Sequence, residues 1–112
     1  MSLSTHILDT HKGCPAPHID VRVYKYESEQ QQHLIFEGQT DEDGRARHLI
    51  PEDQNRIGLY RIVFAVGTYH QSLGIEGFYP EVSIVFDVKD PASHYHVPLL
   101  ISPFGFSTYR GS

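Results

Sequence analysis

Several residue types are scarce in this chain, and each shortage removes a class of reading. Among 112 residues there is no tryptophan, one methionine and one cysteine. A lone Cys14 cannot close an intramolecular disulfide, so a disulfide-stapled scaffold is excluded. Set between Gly13 and Pro15, it reads as a small, partly buried loop residue. A nucleophilic Cys14 would need a base beside it, and His11 and His18 are only near it in sequence. Basic residues are also few, nine against fourteen acidic, for a net charge of −5. No Lys/Arg stripe exists to neutralise phosphates or to sit on an anionic bilayer, so neither nucleic acid nor a membrane surface is expected as a partner. A small anionic substrate would have to be drawn by a local positive pocket rather than by the overall field. No apolar run approaches the roughly 18 residues of a membrane span. The start of the chain lacks a basic stretch followed by an apolar one, so a cytoplasmic protein is expected. Its end, Arg110-Gly111-Ser112, is not the Ser-Lys-Leu peroxisomal address. Internal repeats, coiled-coil heptads, Gly-x-Ser-x-Gly, Cys-x-x-Cys and His-Glu-x-x-His are all missing.

What is present is alternation. The length suits one domain over residues 1–112, and 39% hydrophobic with 21% charged residues is ordinary globular composition. Ser4 to Asp9 reads as a strand with Thr5 and Ile7 on one face and Ser4, His6 and Leu8 on the other. His18 to Glu27 sends Ile19, Val21 and Val23 inward. The polar run 28–32 suits a hairpin tip, followed by a strand over 33–38 with Leu34 and Phe36 on its apolar side. Thr40 to Arg45 is a turn marked by Asp43-Gly44, and Arg45 follows it as if in a hairpin. A very short strand is expected over 47–50 and a polar connection over 51–58. Gly58 to Ala65 and Glu81 to Val88 alternate as strands. Only 67–77 suits a helix, which Gly74 or Gly77 could end. The sum is all-β: an antiparallel β-sandwich of seven or eight strands with one short helix.

The last nineteen residues stand apart. His94 to Ser102 places Tyr95, Val97, Leu99 and Ile101 on a core face. The opposite face carries His94, His96, Pro98, Leu100 and Ser102. Two imidazoles beside a leucine and a proline suit a cleft wall or a subunit contact better than open water. Ser102-Pro103-Phe104-Gly105 then turns the chain, which closes on Tyr109-Arg110-Gly111-Ser112.

That tail, HYHVPLLISPFGFSTYRGS, resembles the C-terminal signature of the transthyretin-like 5-hydroxyisourate hydrolases. LSTHILDTHKGCPA (Leu3 to Ala16) resembles the family's N-terminal motif, and TDEDGRA (Thr40 to Ala46) its threonine-to-DGR segment. The likeness covers essentially the whole chain. It implies a transthyretin-like sandwich assembled as a homotetramer, a dimer of dimers with clefts at the dimer–dimer contact. It also implies hydrolysis of 5-hydroxyisourate without metal or cofactor. Carried over residue by residue, it makes His6, Arg45 and His96 the catalytic candidates. His6, Arg45, Tyr109, Arg110 and Ser112 become the substrate-binding ones.

The chemistry of those side chains is compatible. Imidazole takes and returns protons near neutral pH. The planar fork of Arg45 suits an oxygen that gains charge as water attacks. Tyr109 and Ser112 can hydrogen-bond a heterocycle's edge. Arg110 either binds substrate or anchors the tail by an ion pair. The remaining histidines, His11, His18, His33, His48 and His70, read as surface or structural, and Arg47 as solvated. Two rivals stand beside the hydrolase. One is a transthyretin-like small-molecule carrier, whose channel is mainly apolar. The other is a metal module built on His94 and His96, two apart on one strand face, with His6 and an acidic residue completing the set.

Overall fold

The computed structural model describes residues 2–51 and 57–112. Most of the polar connection expected over 51–58 lies outside them. The described residues form β1 (Ser2–Asp9), β2 (Cys14–Pro15), β3 (Asp20–Ser28), β4 (Gln31–Gln39) and β5 (Arg45–Ala46). There follow β6 (Gly58–Phe64), α1 (Val66–Ser72), β7 (Val82–Val88), β8 (His94–Ser102) and β9 (Gly105–Thr108). One sheet runs β2-β1-β8-β9, with β5 also paired to β1; the other runs β4-β3-β6-β7. The two exceed the expected strand number because β2 and β5 are two-residue pairings. Elements so short leave no alternation to read.

The inner faces interlock as the period-two pattern requires. Leu3 and Ile7 of β1 and Tyr95, Leu99 and Ile101 of β8 meet Val21, Val23, Tyr60, Ile62 and Phe64 across the sandwich. Thr5 shares the inner face of β1, where its hydroxyl donates to the Val97 carbonyl at 2.6 Å. Among the described residues the strand pairs are antiparallel except one: β1 and β8 run parallel. They are joined through the whole of the opposite sheet, so no hairpin forces them antiparallel.

Other expectations need correction. Val23 pairs with Phe36 but Tyr24 with Leu34, so Ile35 is the extra residue of a bulge. The bulge turns Leu34 outward and leaves Ile35 and Phe36 packed on the core. Arg45 does not belong to a hairpin, because β4 and β5 lie in different sheets and the turn crosses between them. The short strand is Arg45–Ala46, not 47–50. The helix stops at Ser72, and Gly74 follows in the left-handed region at φ +68°. The Gly74 N–H donates to the Gln71 carbonyl and the Ile75 N–H to the His70 carbonyl, a Schellman ending that needs glycine's freedom. Cys14 is exposed rather than partly buried.

His70 is a core residue, and neither of its ring nitrogens has a partner among the described residues. The buried Asp9 carboxylate accepts from Tyr69 Oη at 2.8 Å and from the N–H groups of His11 and Lys12. Burial, then the bond to Asp9 and its charge, push the Tyr69 phenol well above its usual range.

Candidate active site

The parallel register of β1 and β8 builds the site. Ser2 lies opposite His94, Ser4 opposite His96 and His6 opposite Pro98. Side chains in register on neighbouring strands share a face, so these six stand together on the outer face of the sheet. β5 adds Arg45 from the other edge of β1, paired with His6.

The turn before β5 fixes where Arg45 emerges. Asp41 Oδ1 accepts from the Asp43 and Arg45 N–H groups at 2.9 and 3.0 Å. These bonds hold its carboxyl below the usual range, chiefly through the one from Arg45, against a smaller opposing burial. Gly44 sits at φ +75°, and a Cβ there would fall 2.5 Å from the Ile7 carbonyl oxygen. Only glycine meets both demands. The chain end is seated in the same manner. The Gly111 N–H donates to the His96 carbonyl at 2.8 Å, and a Cβ on Gly111 would lie 2.5 Å from His96 Cδ2.

A cavity of about 270 Å³ opens between these parts, walled by His96, His94, Arg45, Ser112, Ser2 and Ser4. It therefore unites three of the residues anticipated from sequence: Arg45, His96 and Ser112. His6 stands beside it. Its Nε2–H donates to the Asp43 carbonyl at 2.9 Å, which leaves Nδ1 as the free nitrogen of the neutral ring. Tyr109 and Arg110 line an adjacent cavity of about 220 Å³ that shares only His96 with the first. The Arg110 guanidinium stacks over Tyr95, its Cζ 4.4 Å from the ring centroid, and donates to the His94 carbonyl at 3.5 Å. Within one protomer, then, Tyr109 and Arg110 flank the histidine cavity and do not enter it.

Electrostatically the cavity is positive and His96 resists joining that charge. Burial holds its imidazole below its ordinary value, and the charges of His94, Arg45 and His6 act the same way; a hydrogen bond with the Ser4 backbone opposes them. A neutral imidazole beside a fixed guanidinium can accept a proton from water while an oxygen gains charge nearby. The described residues contain no group of three or more His, Cys, Asp or Glu able to hold a metal ion.

Sequence reasoning missed four wall residues. Arg47 and His48 also line the cavity, although each reads as an ordinary surface residue. Ser4 shares a face with His6 in the strand expected over Ser4 to Asp9, whereas Ser2 lies outside that expected strand and belongs to β1 because the strand starts two residues earlier. Only the parallel pairing shows that they meet His94 and His96.

Residues 3–111 match the model of the HIUase/Transthyretin family. The 5-hydroxyisourate hydrolase of Caulobacter vibrioides is 46% identical over 114 residues, spanning 98% of this chain and 97% of the relative. The solved 5-hydroxyisourate hydrolase of Klebsiella pneumoniae superposes with TM-score 0.86 at 31% identity, over 99% of this chain and 98% of that one. Transthyretin from Sparus aurata superposes with TM-score 0.91 at 33% identity, over 97% and 95%. A match along nearly the whole sequence, carried by both motifs and backbone, makes this chain a member of the HIUase/Transthyretin family.

Proposed function

We propose that this protein is a 5-hydroxyisourate hydrolase of urate degradation. It opens the six-membered ring at an amide-type C–N bond to give 2-oxo-4-hydroxy-4-carboxy-5-ureidoimidazoline. The observation that carries this reading is the meeting of His96, Arg45 and Ser112 in one polar cavity. His96 takes a proton from water as the water attacks the ring carbonyl. Arg45 stabilises the oxygen as it gains charge. The proton then passes to the ring nitrogen as the C–N bond breaks. His6 Nδ1 and Ser112 bind the polar rim of the substrate, and Tyr109 and Arg110 close the cleft beside it. No side chain needs to act as nucleophile, and the reaction asks for no metal or cofactor.

A carrier of the transthyretin kind shares the fold but would use a mainly apolar channel. The wall here is made of imidazole, guanidinium and hydroxyl groups, which favours the hydrolase. Self-association as a homotetramer suits Tyr109, which is 59% exposed in one protomer and would face a cleft completed by a neighbouring subunit. Residues 1–112 act as one domain around the shared core of the two sheets. A cytoplasmic location fits an exposed, unpaired Cys14.

The test is direct. 5-Hydroxyisourate generated from urate by urate oxidase decays with an ultraviolet signal. Catalytic amounts of the protein should accelerate that decay. A rate equal to the spontaneous one would remove the hydrolase reading.

A further inference from the structure

We propose that Ser4, His94 and Ser2 form, with His96, a hydrogen-bonded line that carries a proton between Nε2 of His96 and solvent beyond Ser2. The inference rests on the hydrolase reading and gives a role to wall residues that the proposed reaction leaves without one.

The register of β1 and β8 repeats one pairing twice, serine opposite histidine. Ser4 Oγ lies 2.8 Å from His96 Nδ1 and 3.3 Å from His94 Nε2. Ser2 Oγ hydrogen-bonds His94 Nδ1. The two imidazole rings are nearly parallel, with centroids 6.3 Å apart, so one hydroxyl bridges them. A hydroxyl has one proton, and a neutral imidazole has one donor and one acceptor nitrogen. An unbroken donor-to-acceptor line through these groups can therefore run in only two directions.

In the first, His96 Nδ1–H donates to Ser4, Ser4 donates to His94 Nε2, His94 Nδ1–H donates to Ser2, and Ser2 donates to water. His96 Nε2 then carries a lone pair and is a base. In the second, every bond is reversed and Nε2 carries a proton. Passing from the first to the second, a proton of the attacking water bonds to Nε2. The Nδ1 proton moves to Ser4 Oγ, the Ser4 proton to His94 Nε2, the His94 Nδ1 proton to Ser2 Oγ, and the Ser2 proton to solvent. One proton enters, one leaves, and no group on the line changes charge. The reverse passage delivers the Nε2 proton to the departing ring nitrogen and takes a replacement from solvent at Ser2.

The gain is that no imidazolium has to form. Arg45, Arg47 and His48 share the cavity with His96, and His6 adds to the field against a charged ring. A base flanked by cations works better if its acquired charge is passed on. In this scheme Ser4 is a positioning residue that acts through His96.

The experiment compares wild type with Ser4→Ala and Ser4→Thr by kinetics and by nitrogen-15 NMR of the imidazoles. Ser4→Ala should lower kcat by about tenfold or more while KM stays within about twofold, and Ser4→Thr should recover most of the loss. The rate in mixtures of light and heavy water should curve with deuterium content in wild type and become linear in Ser4→Ala. In wild type His96 should hold its proton on Nδ1, and Ser4→Ala should release it to the other tautomer. A Ser4→Ala protein with wild-type kcat, or with the wild-type His96 tautomer, overturns the line. A kcat loss that threonine does not restore overturns it as well. If the wild-type chain leaves 5-hydroxyisourate decay unaltered, the hydrolase reading is what fails, and the tautomers still decide the hydrogen-bonded line.

Discussion

At the scale of single residues, the site depends on an imidazole kept neutral and a glycine kept small. His96 is held below its ordinary value mainly by burial, with His94, Arg45 and His6 acting the same way. Its neutral, proton-accepting form therefore persists to lower pH than an unperturbed histidine's. The acid limb of kcat/KM should have its midpoint below the usual value of about 6.5. A midpoint above that value in a rate–pH profile would contradict the assignment of His96 as base. Gly111 makes a separate prediction. A methyl group there would collide with the His96 ring. That contact lies on the outer face of the sheet, opposite the inner-face core residues Tyr95 and Val97. Gly111→Ala should thus cut kcat/KM by about tenfold or more with little change in melting temperature. Near-wild-type activity would show that the ring does not need its observed seat.

At the scale of elements, the turn from Asp41 to Arg45 is the part most open to disturbance. Asp41 gathers the N–H groups that set the exit angle of Arg45. Asp41→Ala should lower kcat several-fold, and Asp41→Asn should retain most of it, because an amide oxygen still accepts those bonds. Equal activity in all three proteins would show that Arg45 is positioned by β5 alone. The same element shows what a sequence can and cannot reveal. Strands with clean alternation, such as β3 and β7, could be read because one face is buried and the other is not. The helix could be placed because glycine ends it. The sheet-crossing turn could not, since Asp-Gly chemistry is the same whether the chain returns to its own sheet or leaves for the other. Arg45 and His96 were legible through their motifs. Ser2, Ser4 and His48 were not, because their role depends on the parallel pairing of β1 and β8 and on a chain end folding back over β8. Neither leaves a local pattern.

At the scale of the whole molecule, the proposed tetramer has a functional consequence. Tyr109 and Arg110 flank the histidine cavity, and in the proposed assembly a neighbouring subunit would turn this open wall into a closed cleft. Sedimentation should give a species of four times the 12.8 kDa chain, and dilution into the monomer range should abolish most activity. A fully active monomer would contradict the shared-cleft arrangement. Among the described residues no helix is long and apolar enough to cross a membrane.

In the proposed reaction His96, beside Arg45 and Ser112, activates water against 5-hydroxyisourate. Its most direct test is kcat/KM for 5-hydroxyisourate decay in His96→Asn against wild type, at matched melting temperature. Loss of the base should lower the value by about a thousandfold, within the range expected for a general base. A folded His96→Asn protein that keeps its activity within a few-fold of wild type would contradict the account.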